Sequence, residues 1–195
     1  MTTPGLRERK KAKTLRAIQD QALRLVAEQG YNATTVEQIA EAAEVSPSTF
    51  FRYFPTKEDA IVADEYDPVI IEAIVAQPSD LTPMQAVRRT FAELFPPFLE
   101  DDSERVLTRA KLIFEVPALR NRALSNVLVT QRLICEAVAT RLGREPEDMQ
   151  IQQFAGAVIG VLTPVLIAWV ESGGATPLWR LVDDAMAHLE AGLPL

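Results

Sequence analysis

Between Thr34 and Asp59 the chain reads TTVEQIAEAAEVSPSTFFRYFPTKED, and its chemistry is that of noncovalent recognition. The hydroxyls of Ser46, Ser48 and Thr49 stand among Pro47, Phe51, Arg52 and Tyr53, with Lys57 close behind. Hydroxyls can bond base edges or phosphate oxygens, Pro47 and Phe51 can touch thymine methyls, and Arg52 suits a guanine edge or a phosphate. Phe50 and Phe54 are expected to pack inward. Residues for covalent chemistry are sparse by comparison. One His, His188, stands near the end with no evident nucleophile, and no Gly-rich phosphate loop, metal-ligand spacing or Ser-His-Asp order is visible. The expectation is therefore a binding protein, not an enzyme, with no metal and no cofactor.

The elements that must position these residues follow from caps and apolar spacing. Thr34, with Glu37 three residues on, offers a capping box for a helix over 35–43 whose apolar face is Val36, Ile39, Ala40 and Ala43. Ser46 as N-cap and Pro47 in the first helical position start another helix, 47–53. Two helices this close must cross steeply, which is how a reading helix is presented to a major groove. Before them, a helix over about 9–29 buries Leu15, Ile18, Ala22, Leu25 and Val26 and ends at Gly30. After them, Thr56 and Asp59 cap a helix from Lys57 towards Gln77, bent or broken at Pro68. Thr82, Pro83 and Gln85 start another that stops near Phe95, ahead of Pro96-Pro97. Segments over 103–115, 117–142, 147–172 and 177–193 complete about nine helices and no strand. The fold class is all-α: a three-helix head with a helix-turn-helix, residues 1–56, and a helical body, residues 57–195.

The wording of the head resembles the TetR family of bacterial transcriptional regulators. The resemblance rests on Gly30-Tyr31, Thr34-Thr35-Val36, Ile39-Ala40, Val45-Ser46, Thr49, Tyr53-Phe54 and Lys57-Glu58, and spans roughly residues 12–62. Glu44 stands where the family commonly has a turn Gly, and a non-Gly left-handed residue costs about 1–2 kcal/mol. Ser48 also replaces a common Gly, so the bases it meets can differ. The resemblance implies phosphate contacts by Lys57, Tyr53 and Thr35, the bland alternatives being a solvated Lys, a packed Tyr and a capping Thr. Lys57 lies in a helix's first turn, where the dipole disfavours a cation, which makes sense if an external anion binds there.

Charge is divided along the chain. The net charge is −7, yet residues 1–57 hold nine Lys/Arg against six Asp/Glu, and the remainder eleven against twenty-one. Met1–Arg16 is the most basic stretch, with Arg7, Arg9, Lys10, Lys11, Lys13 and Arg16 against Glu8. A basic arm before the head suits a phosphate backbone; the alternative is a solvated tail. An acidic body would be repelled by DNA and would turn the head towards it. The opening residues lack an apolar h-region, and the lone Cys135 forms no internal disulfide, so an intracellular, cytoplasmic and nucleoid-associated protein is expected.

The body is the place for an effector. A dimer that binds half-sites one turn apart needs reading helices about 34–36 Å apart, so a ligand that favours another spacing weakens binding. Arg88, Lys111 and Gln131 interrupt apolar stripes that contain Phe91, Phe95 and Phe114. Such residues pair internally, snorkel outward or meet a ligand anion. On the last reading, a cation beside aromatic rings suits an amphipathic anion, and SPSTFFRYFPTKEDAI resembles regulators with acyl-coenzyme-A-like effectors. Phe154–Val170 runs seventeen residues without a charge. A membrane span is the rival there, but the run is short, contains Pro164 and lacks flanking cations. Pairing of the last two helices in a homodimer is expected instead, with filling of a monomer core the alternative. The resemblance implies a repressor on an inverted-repeat operator released by a small molecule; an activator, or a partner-binding helical module with no sequence-specific DNA target, stays open.

Overall fold

The computed structural model describes residues 5–63 and 67–195. They form nine helices: α1 Leu6–Gln29, α2 Val36–Ala42, α3 Pro47–Tyr53, α4 Lys57–Val62, α5 Asp67–Ala76, α6 Pro83–Glu115, α7 Pro117–Leu142, α8 Met149–Glu171 and α9 Leu178–Glu190. No strand occurs among the described residues. The chain divides into two compact units, Met1–Ala63 with Lys111–Ala123, and Asp64–Ala110 with Leu124–Leu195.

The first unit packs α1 against α2 and α4, with α3 on α2. Its core is Ile18, Ala22 and Val26 of α1, Ile39 and Ala40 of α2, Phe50 and Phe54, and Ala60, Ile61 and Val62 of α4. Leu119 of α7 is fully buried in the same cluster, which is why the start of that helix belongs to this unit. Gly30 ends α1 at φ 87°, where a side chain would be strained. The basic stretch is not a separate arm from Leu6 onward: α1 begins there, and Arg7, Lys10, Lys11 and Lys13 stand exposed on it. Residues 1–4 lie outside the described residues.

The second unit is built on two apolar clusters. Phe91 of α6, Ile134 and Val138 of α7, Ile151, Ala155 and Val158 of α8, and Val182 and Met186 of α9 form the larger. Val106, Ala110 and Trp169 form the smaller. Arg141, near the end of α7, donates to the carbonyls of Ile74, Gln77, Pro78 and Leu81 at 3.2, 2.7, 2.7 and 3.2 Å. It thereby adds a charged donor to carbonyls at the end of α5 and in the loop that follows it.

One expected boundary is absent and another is present. Pro96-Pro97 does not end a helix, and α6 runs 33 residues through both. A Pro inside a helix costs about 3 kcal/mol, but Phe91 before the pair and Val106 and Ala110 after it are buried, and their packing holds the helix together. At the other site, the chain does break near Pro68: α4 ends at Val62 and α5 resumes at Asp67, with Pro68 in its first turn.

Candidate nucleic-acid interface

The helix-turn-helix is set by three caps. Thr35, not Thr34, closes the first box: its hydroxyl accepts from the Gln38 amide at 3.3 Å, and the Gln38 side chain accepts from the Thr35 amide at 3.0 Å. The box expected from Thr34 and Glu37 is displaced by one residue because Thr34 is buried, its hydroxyl already donating 2.9 Å to the Gly30 carbonyl. Between α2 and α3, the Val45 amide donates 2.9 Å to the Ala40 carbonyl and the Glu44 amide 3.0 Å to that of Glu41. This pattern needs a left-handed residue between them, and Glu44 supplies it at φ 55°. Ser46 then caps α3, accepting from the Thr49 amide at 3.1 Å.

These caps decide which face of α3 is free. Phe50 is fully buried and Phe54 is 4% exposed, while Phe51 is 53% exposed. Pro47, Ser48, Phe51 and Arg52 are exposed. The hydroxyls of Ser46 and Thr49 lie 3.0 Å apart and are bonded to each other. Ser48 Oγ also lies 2.9 Å from Ser46 Oγ, so this exposed face presents an apolar pair, Pro47 and Phe51, flanked by the interbonded hydroxyls and the Arg52 guanidinium. The Arg52 guanidinium stacks 5.5 Å from the Tyr53 ring centroid, and Tyr53 itself is half-buried.

Lys57 is anchored within the unit. Its ammonium donates to the carbonyls of Tyr31 at 2.7 Å and Thr34 at 2.8 Å, and lies 4.0 Å from the Tyr31 ring centroid. The Tyr31 hydroxyl donates to Glu58. Burial, aided by the Glu58 carboxylate, pushes the Tyr31 hydroxyl up to about 12. Burial alone would push the Glu58 carboxyl up too, but the Tyr31 hydroxyl, its own backbone amide, Thr56 and Lys57 outweigh it and hold it below its ordinary value. Thr35 is exposed, with its hydroxyl proton left for an outside acceptor.

Asp59 joins the start of α4 to the start of α7. Its Oδ2 accepts from the Thr56 amide at 3.1 Å and the Thr56 hydroxyl at 2.8 Å, closing the expected box. Its Oδ1 accepts from Arg122 at 2.5 Å. Nothing in the sequence marked Arg122, because the ion pair joins residues 63 positions apart. Tyr31 and Glu58 were visible only as matches in a resemblance, without a role.

Residues 18–63 match the family described as bacterial regulatory proteins, tetR family, and residues 81–194 match the MftR C-terminal domain. The chain is also 32% identical to the transcriptional regulator TcmR of Streptomyces glaucescens over 80% of its own length and 72% of that protein. The chain belongs to the TetR family. It is a DNA-binding transcriptional regulator, with α2 and α3 as its helix-turn-helix. A helical module without a DNA target is not favoured by this membership, and the family is one of regulators, not enzymes.

Solved TetR-family structures share the fold along the chain. FadR of Thermus thermophilus, a transcriptional repressor solved with lauroyl-CoA, superposes with a TM-score of 0.58 at 22% identity, covering 93% of this chain and 95% of that one. FadR of Bacillus halodurans, a fatty acid degradation regulator, gives 0.60 at 21% identity, with 98% of each chain covered.

Of the body residues expected to bind a ligand, Arg88 and Gln131 line different cavities of the second unit. Arg88 donates to Asp183 at 3.0 Å and Glu190 at 2.8 Å, and these hydrogen bonds raise its pKa further. It lines an open depression of about 430 Å³. Gln131 lines a different cavity of about 520 Å³ with Leu128, Arg132, Cys135 and Gln152. Phe91 is core, 7% exposed. Lys111 is exposed and Phe114 half-buried, both in the first unit. The Phe95 side chain lies outside the described residues. Among the described residues no cluster of His, Cys, Asp and Glu could hold a metal ion.

Proposed function

We propose that this TetR-family regulator is a homodimeric repressor. It binds an inverted-repeat operator through α3 and is released by a small amphipathic anion of the acyl-coenzyme-A class. It works in the bacterial cytoplasm on the nucleoid.

The observation that carries the DNA part is the exposed face of α3. A 53% exposed Phe51 beside Pro47 is costly in water and profitable against thymine methyls. Arg52 and Ser48 add polar contacts, while Thr35, Tyr53 and Lys57 contact the phosphate backbone. Homodimerisation is supported by α8. It is long and apolar enough to cross a membrane, yet only 17% of its most apolar window is buried within one chain. A helix this apolar must be covered. In a TetR-family protein the cover is the α8–α9 pair of a second copy, and Gly160, exposed on α8, lets a backbone approach closely.

The effector class is supported by the fatty acid regulators that share the fold, one of them solved with lauroyl-CoA. The test is competition: a fluorescent duplex carrying an operator selected from a random duplex pool is bound, and lauroyl-CoA is titrated in. Release by lauroyl-CoA, with coenzyme A alone inert, is the expected result. Retention of the duplex at saturating lauroyl-CoA would remove acyl-coenzyme-A from the effector class.

A further inference from the structure

We propose that Arg122 is a positioning residue for DNA binding: it fixes the first turn of α4, and with it Lys57, against the start of α7. The inference rests on the reading that Lys57 contacts phosphate. It starts from an asymmetry in one carboxylate. Asp59 is 8% exposed and divides its two oxygens. Oδ2 closes the α4 capping box on Thr56, at 3.1 and 2.8 Å. That contact would form in any helix with this sequence, because it is local. Oδ1 takes Arg122, a partner from a different part of the chain, at 2.5 Å.

A carboxylate this buried carries a desolvation cost that local amide bonds only partly offset. Without Arg122, Oδ1 loses its protein partner, and as Asp59 turns outward towards water its Oδ2 leaves Thr56. The box opens and the turn that carries Lys57 and Glu58 loosens. The chain from Arg122 to Lys57 is short: Arg122 to Asp59, Asp59 to Thr56, and Thr56 to the next residue in sequence. Three further contacts depend on the placement of that turn, the Lys57 bonds to the Tyr31 and Thr34 carbonyls and the Glu58 bond to Tyr31. The same turn follows directly on α3 through Phe54, Pro55 and Thr56. Arg122 therefore sets the spacing between the reading helix and the phosphate contact without touching the duplex.

The experiment compares the full-length protein with Arg122→Ala, Arg122→Lys, Asp59→Asn, the Arg122→Ala/Asp59→Asn pair and Lys57→Ala. Operator affinity is measured over a range of salt, and amide hydrogen exchange is measured without DNA. Arg122→Ala is expected to weaken operator binding roughly tenfold, the scale of a lost charged hydrogen bond. The salt slope stays at the wild-type value, and Arg122→Lys restores part of the affinity. Exchange should speed up at the Asp59 and Ala60 amides and not at those of Ile39 and Ala40. The double variant should be no weaker than the worse single one, the signature of one shared contact. A slope reduced by about one unit would make Arg122 a phosphate contact in its own right and overturn the proposal. Unchanged exchange in α4 would also overturn it, whatever the DNA result. If Lys57→Ala alone leaves affinity and slope untouched, the phosphate role of Lys57 fails instead, and the exchange result still decides whether Arg122 holds α4.

Discussion

The Lys57 ammonium sits 4.0 Å from the centroid of the Tyr31 ring and donates 2.7 Å to the carbonyl of the same residue. One cation thus closes the loop between α1 and α2 while standing beside the turn that follows the reading helix. Two of its three protons are given to the Tyr31 and Thr34 carbonyls, and a phosphate would take the third. On the proposed reading, fold and DNA contact share this side chain, so its loss should register in both.

Lys57→Ala is expected to lower operator affinity for all duplexes and flatten the salt dependence by about one unit. It should also destabilise the first unit by about 1–3 kcal/mol, because two carbonyls lose a charged donor. Anisotropy titrations at several salt concentrations, paired with thermal melting, read the two effects separately. Lost affinity with an unchanged slope would confine Lys57 to its structural role.

The Tyr31–Glu58 contact makes stability pH-dependent at both ends. Glu58 is held below its ordinary 4.5, so its contribution is present at neutral pH and is lost as pH falls through the lowered value. Tyr31 is raised from 10.0 to about 12, so its contribution is complete below 10.0 and is lost as pH rises towards about 12. Tyr31→Phe removes the hydroxyl and should flatten both limbs of a melting-temperature profile. A variant profile parallel to wild type would show that the contact carries no stability.

Phe51→Ala should leave melting within about 0.5 kcal/mol of wild type, since the ring is exposed and off the core. Its effect belongs to specificity. Replacing operator thymines by uracil should cost the wild type roughly fourfold per contacted methyl, the scale of one buried methyl group, and cost Phe51→Ala nothing at the same positions. Equal losses in both proteins would take thymine-methyl reading away from Phe51.

Ile167→Glu places a carboxylate on α8 where the side chain is 38% exposed in one chain. Folding of the chain should survive, while light scattering should report a monomer at micromolar concentration. A variant that stays dimeric would move the interface off this face.

The head was legible in the sequence almost residue by residue, because its caps are local. Ser46-Pro47 set α3, Thr56 and Asp59 set α4, and the left-handed Glu44 could be anticipated from the resemblance, which has a common turn Gly there. The one-residue error at Thr34 came from a competing local bond, its hydroxyl donating to the Gly30 carbonyl four residues back. A different limit, of distance along the chain, operated in the body. Pro96-Pro97 reads as a stop in any local scheme, and the burial of Phe91, Val106 and Ala110 on either side helps carry α6 through it. Arg88 read as a lone cation on an apolar stripe; its partners Asp183 and Glu190 lie about a hundred residues away, 95 and 102 positions on. Long-range ion pairs leave no periodic trace, which is also why Arg122 passed unmarked.

The most direct test of the central claim, sequence-specific binding of DNA by a symmetric dimer, is selection from a random duplex pool with the purified full-length protein. Enrichment of an inverted repeat is the predicted result, its half-sites centred about one helical turn or a multiple apart. Retention of duplexes with no shared motif, or of none at low salt, would contradict it.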